Sequence, residues 1–232
     1  ESKEPISLYK YLNPLSKAFI GLQWLLFKNG LGSTNHFETL GFIRSHNSIS
    51  YPDIQYHLLP IAINYNGSSA LNGHGFQMHV GPMRSKSRGW VRIKGKDPTT
   101  SPEIKFNYMS HPNDWEDFRR CIKITRNILN QPSFSSLAGL AVNPNDKIIT
   151  DQEIDEFIKE NVESAYHPCG TMKMGDKNDP MAVVDSECRI IGLDNIRVVD
   201  SSVFPRITNG NTNAPSIMIG EKISDSILGK SP

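Results

Sequence analysis

The chain has 232 residues, with 25 Lys and Arg against 24 Asp and Glu and a formal net charge of +1. That length holds one sizeable domain or two small ones, and the balanced charge gives no electrostatic case for a nucleic-acid binder or a polybasic membrane-surface protein. Three cysteines, Cys121, Cys169 and Cys188, cannot all pair and form no Cys-x-x-Cys, which argues against a disulfide scaffold and a structural zinc site.

The longest apolar stretch, residues 18–27, is ten residues long and includes Gln23, about half of what a membrane span needs. The chain opens Glu-Ser-Lys-Glu-Pro, without an apolar signal region or an initiator Met, so a processed chain or a fragment is expected. Residues 5–31 carry a helix-type apolar spacing at Leu15, Phe19, Leu22 and Leu26, closed by Asn29-Gly30 and Gly32-Ser33. From residue 38 the grain changes to short β-type runs at 38–45, 53–63, 76–81 and 90–94, separated by turn-forming pairs such as Asn47-Ser48 and Asn72-Gly73. In the last run Val91 and Ile93 alternate with cations. These runs predict a mostly antiparallel sheet.

Two helices follow. The first is capped at Pro112-Asn113-Asp114 and has Trp115, Phe118, Ile122, Ile124 and Leu129 on its buried side, as far as Asn130-Gln131-Pro132. The second starts at Thr150 with Glu153 completing a capping box, and turns Ile154, Phe157 and Ile158 inward. After residue 162 come a loop containing Gly and Met, a short apolar strand at 196–199, a polar loop and a final helix. That helix has Pro215 in its first turn, Ile219, Ile223 and Ile227 on one stripe, and Gly229 as its stop. The fold class is therefore α+β up to a boundary near 162, followed by a strand–loop–helix segment that cannot fold alone.

Two stretches could carry chemistry. In Tyr166-His167-Pro168-Cys169-Gly170-Thr171-Met172-Lys173-Met174-Gly175, a histidine sits in a loop whose backbone is restricted by Pro and Gly, which suits a base that must keep one orientation. A half-buried imidazole bonded to a carbonyl explains the same residues. The second stretch, Arg197-Val198-Val199-Asp200-Ser201-Ser202, leads through Asn209-Gly210-Asn211-Thr212-Asn213 to a helix N-terminus, where free N–H groups and the helix dipole favour negative charge. Simple capping by Asn211, Thr212 and Asn213 is the plainer account.

Taken together, these stretches, with Ala182-Val183-Val184-Asp185 between them and Ala214-Pro215-Ser216-Ile217-Met218-Ile219-Gly220-Glu221-Lys222 after them, resemble the C-terminal signature of the glucose–methanol–choline (GMC) flavoprotein oxidoreductases. Upstream, Ser33-Thr34-Asn35-His36-Phe37-Glu38, Gly41-Phe42-Ile43-Arg44-Ser45, His79-Val80-Gly81-Pro82-Met83-Arg84-Ser85 and Phe106-Asn107-Tyr108-Met109-Ser110 resemble the choline dehydrogenase branch of that family. The resemblance runs from about residue 8 to Leu228.

It implies that residues 1–162 form a substrate-binding domain and 163–232 the C-terminal segment of an FAD-binding α/β domain. The implied cofactor is FAD. The implied reaction is hydride transfer from choline to the flavin, giving betaine aldehyde, with electrons passing to a respiratory acceptor. His167 is then the base and Asn211 the second holder of the alcohol oxygen. Asp200, Ser201, Asn211, Thr212 and Asn213 lie at the cofactor. Tyr166, Phe37 and Glu38 are the candidates for holding a quaternary ammonium, the first two by cation–π contact. No metal site is implied, because His36, His57, His74, His79 and His111 share no ligand spacing. Residues 84–88 read as a turn with solvated charges, or as a face toward a membrane or the flavin domain. The family's Gly-x-Gly-x-x-Gly βαβ unit is absent, so the chain is expected to be a C-terminal portion that does not turn over alone. The other readings are a GMC dehydrogenase for a different alcohol and a non-catalytic module that needs a separate flavin domain.

Overall fold

The computed structural model describes residues 1–37, 39–64 and 68–230. The chain divides into two units, Glu1–Pro82 with Trp115–Val162, and Met83–Asp114 with Glu163–Pro232. One passage between them follows Val162. The segment Met83–Asp114, which sequence reading places in the body before 162, lies with the C-terminal unit.

In the first unit, helix α1 covers Pro14–Phe27, shorter than the 5–31 spacing suggested, after a separate 3-10 turn at Leu8–Tyr11. Its limits have local causes. The Asn13 side chain accepts the Ser16 N–H at 2.9 Å, Pro14 opens the first turn, and Lys28 turns left-handed at φ 54°. Strands β1 (Thr39–Ile43), β2 (Ile54–Leu59) and β3 (Gln77–Pro82) form an antiparallel sheet with β2 in the middle. Ile43 lies opposite Ile54, and Tyr56 is flanked by Gly41 and Val80. This register puts Ile54 and Tyr56 on one face, where Cys121 of α2 (Pro112–Leu129) completes a buried cluster, edged by Ile43, Met78, Val80, Ile124 and Ile128. The one polar tip in that cluster is answered, since the Tyr56 hydroxyl pairs with Thr125 Oγ1 at 3.0 Å.

Helix α3 (Asp151–Asn161) begins with the expected capping box: the Thr150 hydroxyl accepts the Glu153 N–H, and the Glu153 carboxylate accepts the Thr150 N–H at 2.8 Å. Ile154 and Ile158 are buried, and Phe157 is half-buried. The Arg119 guanidinium reaches Asp155 of α3 with both arms, Nε to Oδ1 at 2.6 Å, which ties α2 to α3.

In the second unit, β4 (Trp90–Arg92) pairs antiparallel with β5 (Glu103–Lys105), a strand too short and too exposed to leave a pattern in the sequence. Gly89 belongs to this hairpin for a steric reason: a Cβ there would lie 2.0 Å from the Lys105 carbonyl oxygen. Helix α4 covers Asn213–Ile227, with Pro215 in its first turn and Gly229 beyond it at φ +67°.

Four further features differ from what the sequence suggests. Residues 196–199 form no strand: they meet the segment before them at one bridge, Arg189 opposite Arg197, and Val198 and Val199 pack against the core. Ile227 is exposed, while Ile219 and Ile223 enter a core with Val184, Cys188, Val203 and Phe204. Asp114 does not serve as a simple helix cap. It turns back to accept the Ser85 hydroxyl at 2.5 Å and the Lys86 and Ser87 N–H groups at 2.7 and 2.9 Å. Helix α1 buries none of its residues.

Candidate functional site

The loop after Tyr166 is laid along the segment after Asp200. The N–H groups of Gly170, Met172 and Met174 donate to the carbonyls of Ser201, Ser202 and Val203, at 3.3, 2.9 and 2.8 Å. The Ser201 hydroxyl adds a bond to the Pro168 carbonyl at 3.3 Å. Beneath this seam Val203 and Phe204 are core residues, so the loop rests on a packed floor. Gly170 permits the approach: its φ is +86° and a Cβ would come within 3.2 Å of the Phe204 carbonyl oxygen.

His167, half-buried, stands at one end of this seam. Its Nδ1 lies 3.0 Å from Thr212 Oγ1. Thr212 is 7% exposed and occupies the N-cap position of α4, yet its side chain does not cap the helix. The first turn of that helix holds no acidic residue. The result is an imidazole steadied at one nitrogen beside a helix start whose dipole and N–H groups favour an anion. Cys169, two residues from the imidazole, is partly buried. Burial pushes its thiol up, with nearby Arg88 opposing, so it stays protonated near neutral pH.

The other candidates fall as follows. Asn211 and Asn213 are exposed and flank Thr212. Asp200 is exposed, and one of its carboxylate oxygens accepts the Ser202 N–H at 2.8 Å, opening the 3-10 turn Ser201–Val203. Tyr166 is 77% exposed, and its backbone takes φ +59°, a left-handed setting that a bulky residue seldom adopts. The second unit therefore holds Tyr166, His167, Asp200, Ser201, Asn211, Thr212 and Asn213 together. Phe37 belongs to the first unit, with its ring edge-on to His57 and His79 at 5.9 and 6.3 Å between centroids. Glu38 lies outside the described residues.

The contact between Thr212 and His167 is what sequence reasoning missed. Thr212 reads as a helix cap or cofactor contact, and nothing in its spacing, 45 residues from His167, announces a bond between the two. The one available signal is a hydroxyl at an N-cap whose job is taken by no neighbouring carboxylate. Among the described residues no cluster of His, Cys, Asp and Glu is arranged to hold a metal ion.

A family profile described as GMC oxidoreductase matches residues 85–220. Oxygen-dependent choline dehydrogenase of Brucella ovis is 60% identical over all 232 residues, and that of Sinorhizobium fredii 56% over 231. In both cases the match covers the whole chain and 42% of the relative, so the chain spans less than half the length of these relatives. Among solved structures, pyridoxine 4-oxidase from Mesorbium loti is 28% identical with a TM-score of 0.75, over 85% of this chain and 39% of that one. Formate oxidase shares the fold, with a TM-score of 0.86 at 19% identity, over 98% of this chain and 44% of its own. Profile, relatives and fold agree with the motifs around His167 and Asn211: the chain belongs to the GMC oxidoreductase family.

Proposed function

We propose that the chain is the C-terminal part of an FAD-dependent choline dehydrogenase, with residues 1–162 on the substrate side and 163–232 facing the flavin. The observation that carries this reading is His167, held at Nδ1 by Thr212 at the start of α4, where the Thr212 hydroxyl makes no capping bond. Such a helix start fits a group that gains negative charge, and FAD, when bound there, supplies the hydride acceptor.

The chain's own residues supply the proton chemistry. Oxidising an alcohol to an aldehyde removes a hydride from carbon and a proton from oxygen. With the imidazole Nδ1 proton donated to Thr212 Oγ1, Nε2 keeps its lone pair and takes the hydroxyl proton. Asn211, which does not titrate, orients the same oxygen as a hydrogen-bond donor. Asp200, Ser201 and Asn213 line the cofactor side of the turn and helix start. Tyr166, exposed next to the base, presents a ring to the trimethylammonium group.

The test uses a longer protein in which this chain is joined to the N-terminal portion found in the relatives. Choline added without oxygen bleaches the bound flavin, while neutral alcohols of similar size do so far more slowly. Equal rates for choline and neutral alcohols would overturn the substrate assignment. The bleached protein also tests the acceptor: reoxidation by a quinone and not by dissolved oxygen marks a respiratory acceptor. The 232-residue chain alone, mixed with FAD, is expected to show no bound-flavin absorption.

A further inference from the structure

The loop that carries His167 is entered through a residue in an uncommon setting. Tyr166 has φ +59°, in the left-handed region where glycine is at ease and a bulky side chain is not. The next residue has little freedom of its own, because Pro168 confines His167 to extended backbone. The direction in which the imidazole leaves the chain is therefore decided one residue earlier, at Tyr166. Thr212 steadies the ring at Nδ1, and the backbone at the root of that ring is steadied elsewhere.

Ser164 supplies the bond that holds Tyr166. Its hydroxyl oxygen accepts the Tyr166 N–H at 3.0 Å, a side-chain-to-backbone turn. The same oxygen accepts the Tyr108 hydroxyl at 2.8 Å, across 56 residues of chain. A serine oxygen has two acceptor positions, and both are filled. The Ser164 side chain therefore cannot swing away from the Tyr166 N–H without breaking the longer-range bond as well. Tyr108 is itself held. Its ring stacks on Phe106, with centroids 5.1 Å apart and planes 12° from parallel. Its neighbours Asn107 and Met109 are both left-handed, at φ 56° and 58°, and the Asn107 side chain donates to the Arg88 carbonyl at 3.1 Å. Non-glycine residues persist in that region where their surroundings over-determine them, and they gather where geometry is put to use. Tyr108, Ser164, Tyr166 and His167 all belong to the second unit. A bond that only tied Met83–Asp114 to the C-terminal segment would have no reason to share its acceptor with the residue before the histidine.

We propose that Tyr108 and Ser164 are positioning residues for the base: the Tyr108 hydroxyl locks Ser164, Ser164 holds Tyr166 left-handed, and that backbone setting aims His167 at the alcohol. The proposal rests on the reading of His167 as the base. It goes beyond that reading by assigning two residues that act through Tyr166 and not on the substrate.

Flavin reduction by choline tests it, followed by stopped-flow absorbance in the flavin-loaded longer protein, with variants compared at equal bound flavin. Tyr108→Phe removes one hydroxyl and keeps the stacked ring, and the limiting rate should fall by about threefold to tenfold. Ser164→Ala should lose about tenfold or more. Ser164→Thr, which keeps the oxygen, should recover most of that. The decisive variant is Tyr166→Gly. Glycine takes a left-handed setting unaided, so adding Tyr108→Phe to Tyr166→Gly should slow the reaction by less than about twofold further. A purely structural tie would lose the same factor with tyrosine or glycine at 166. Full multiplication of the two losses therefore overturns the proposal. So do Tyr108→Phe and Ser164→Ala variants as fast as the wild type, or a Ser164→Thr variant as slow as the alanine one. A wild-type protein that choline does not bleach overturns the reading of His167 as the base, and the positioning role with it. The two failures are told apart by which protein departs from expectation, the wild type or the variants.

Discussion

Thr212 Oγ1 lies 3.0 Å from His167 Nδ1, joining the N-cap position of the final helix to the imidazole of a loop 45 residues upstream. Either group could donate; in the proposed reading, where Nε2 accepts a proton, Nδ1 carries its own and the hydroxyl accepts. Thr212→Val then leaves an imidazole N–H without its partner at a cost of about 1–3 kcal/mol. In the flavin-loaded longer protein the limiting rate of flavin reduction by choline should fall by roughly tenfold to a hundredfold. Thr212→Ser should restore most of it, with little change in KM in either variant. Equal loss in the serine and valine variants would point to packing of the methyl group instead.

Removing the proposed base is a larger step. His167→Ala is expected to slow flavin reduction by about 10²–10⁴ while the flavin stays bound. The loop should keep its course, because its backbone bonds to Ser201, Ser202 and Val203 do not involve the imidazole. Stopped-flow absorbance of the variant mixed with choline measures the loss.

Asp114 contributes to acid stability in the second unit. Burial disfavours its charge, but hydrogen bonds from Ser85, Ser87 and the Lys86 N–H outweigh that and hold its carboxyl below the usual range. A depressed folded value stabilises the fold above the ordinary carboxylate pKa of about 3.9, and the contribution disappears as pH falls through the folded value. Asp114→Asn should therefore lower stability by about 1–3 kcal/mol near pH 7. It should also flatten the fall in stability below about pH 4. Urea unfolding across that range checks both.

The three thiols should separate cleanly. Cys121 and Cys188 are fully buried. Burial, with help from Asp117 and Asp53, pushes the Cys121 thiol up to about 12. The Cys188 thiol is raised as well, again chiefly by burial. Cys169 is partly accessible but also raised. A neutral-pH thiol reagent is expected to label Cys169 alone, slowly, in the native chain, and all three after unfolding. Mass spectrometry of the labelled peptides reads the order.

How much of this was legible in the sequence depended on the range of the interaction. The capping box at Thr150 and Glu153, Pro215 in the first turn of α4 and Gly229 beyond it are decided within a few residues, and they appear where the pattern put them. The central strand β2 was equally clear, since its burial follows from alternation. Asp114 was misread because a helix-start acid looks the same whether it caps its own helix or holds the turn at Ser85 and Lys86. The apolar stripe of α1 has a core period without a core, because periodicity reports that a face wants a partner and not which partner it finds. In the site, the motif residues were legible through family resemblance, whereas the bond between Thr212 and His167 is a product of the fold.

That bond also leaves a mark on the helix it starts. A hydroxyl committed to His167 makes no capping bond to the Asn213 end of α4. The amino end of the helix is thereby the part of this unit most responsive to what arrives in front of it. An acceptor settling there would slow amide hydrogen exchange at Asn213 and Ala214 and leave the buried turn around Ile219 and Ile223 unchanged. That first turn would then act as a built-in gauge of occupancy, readable without following catalysis.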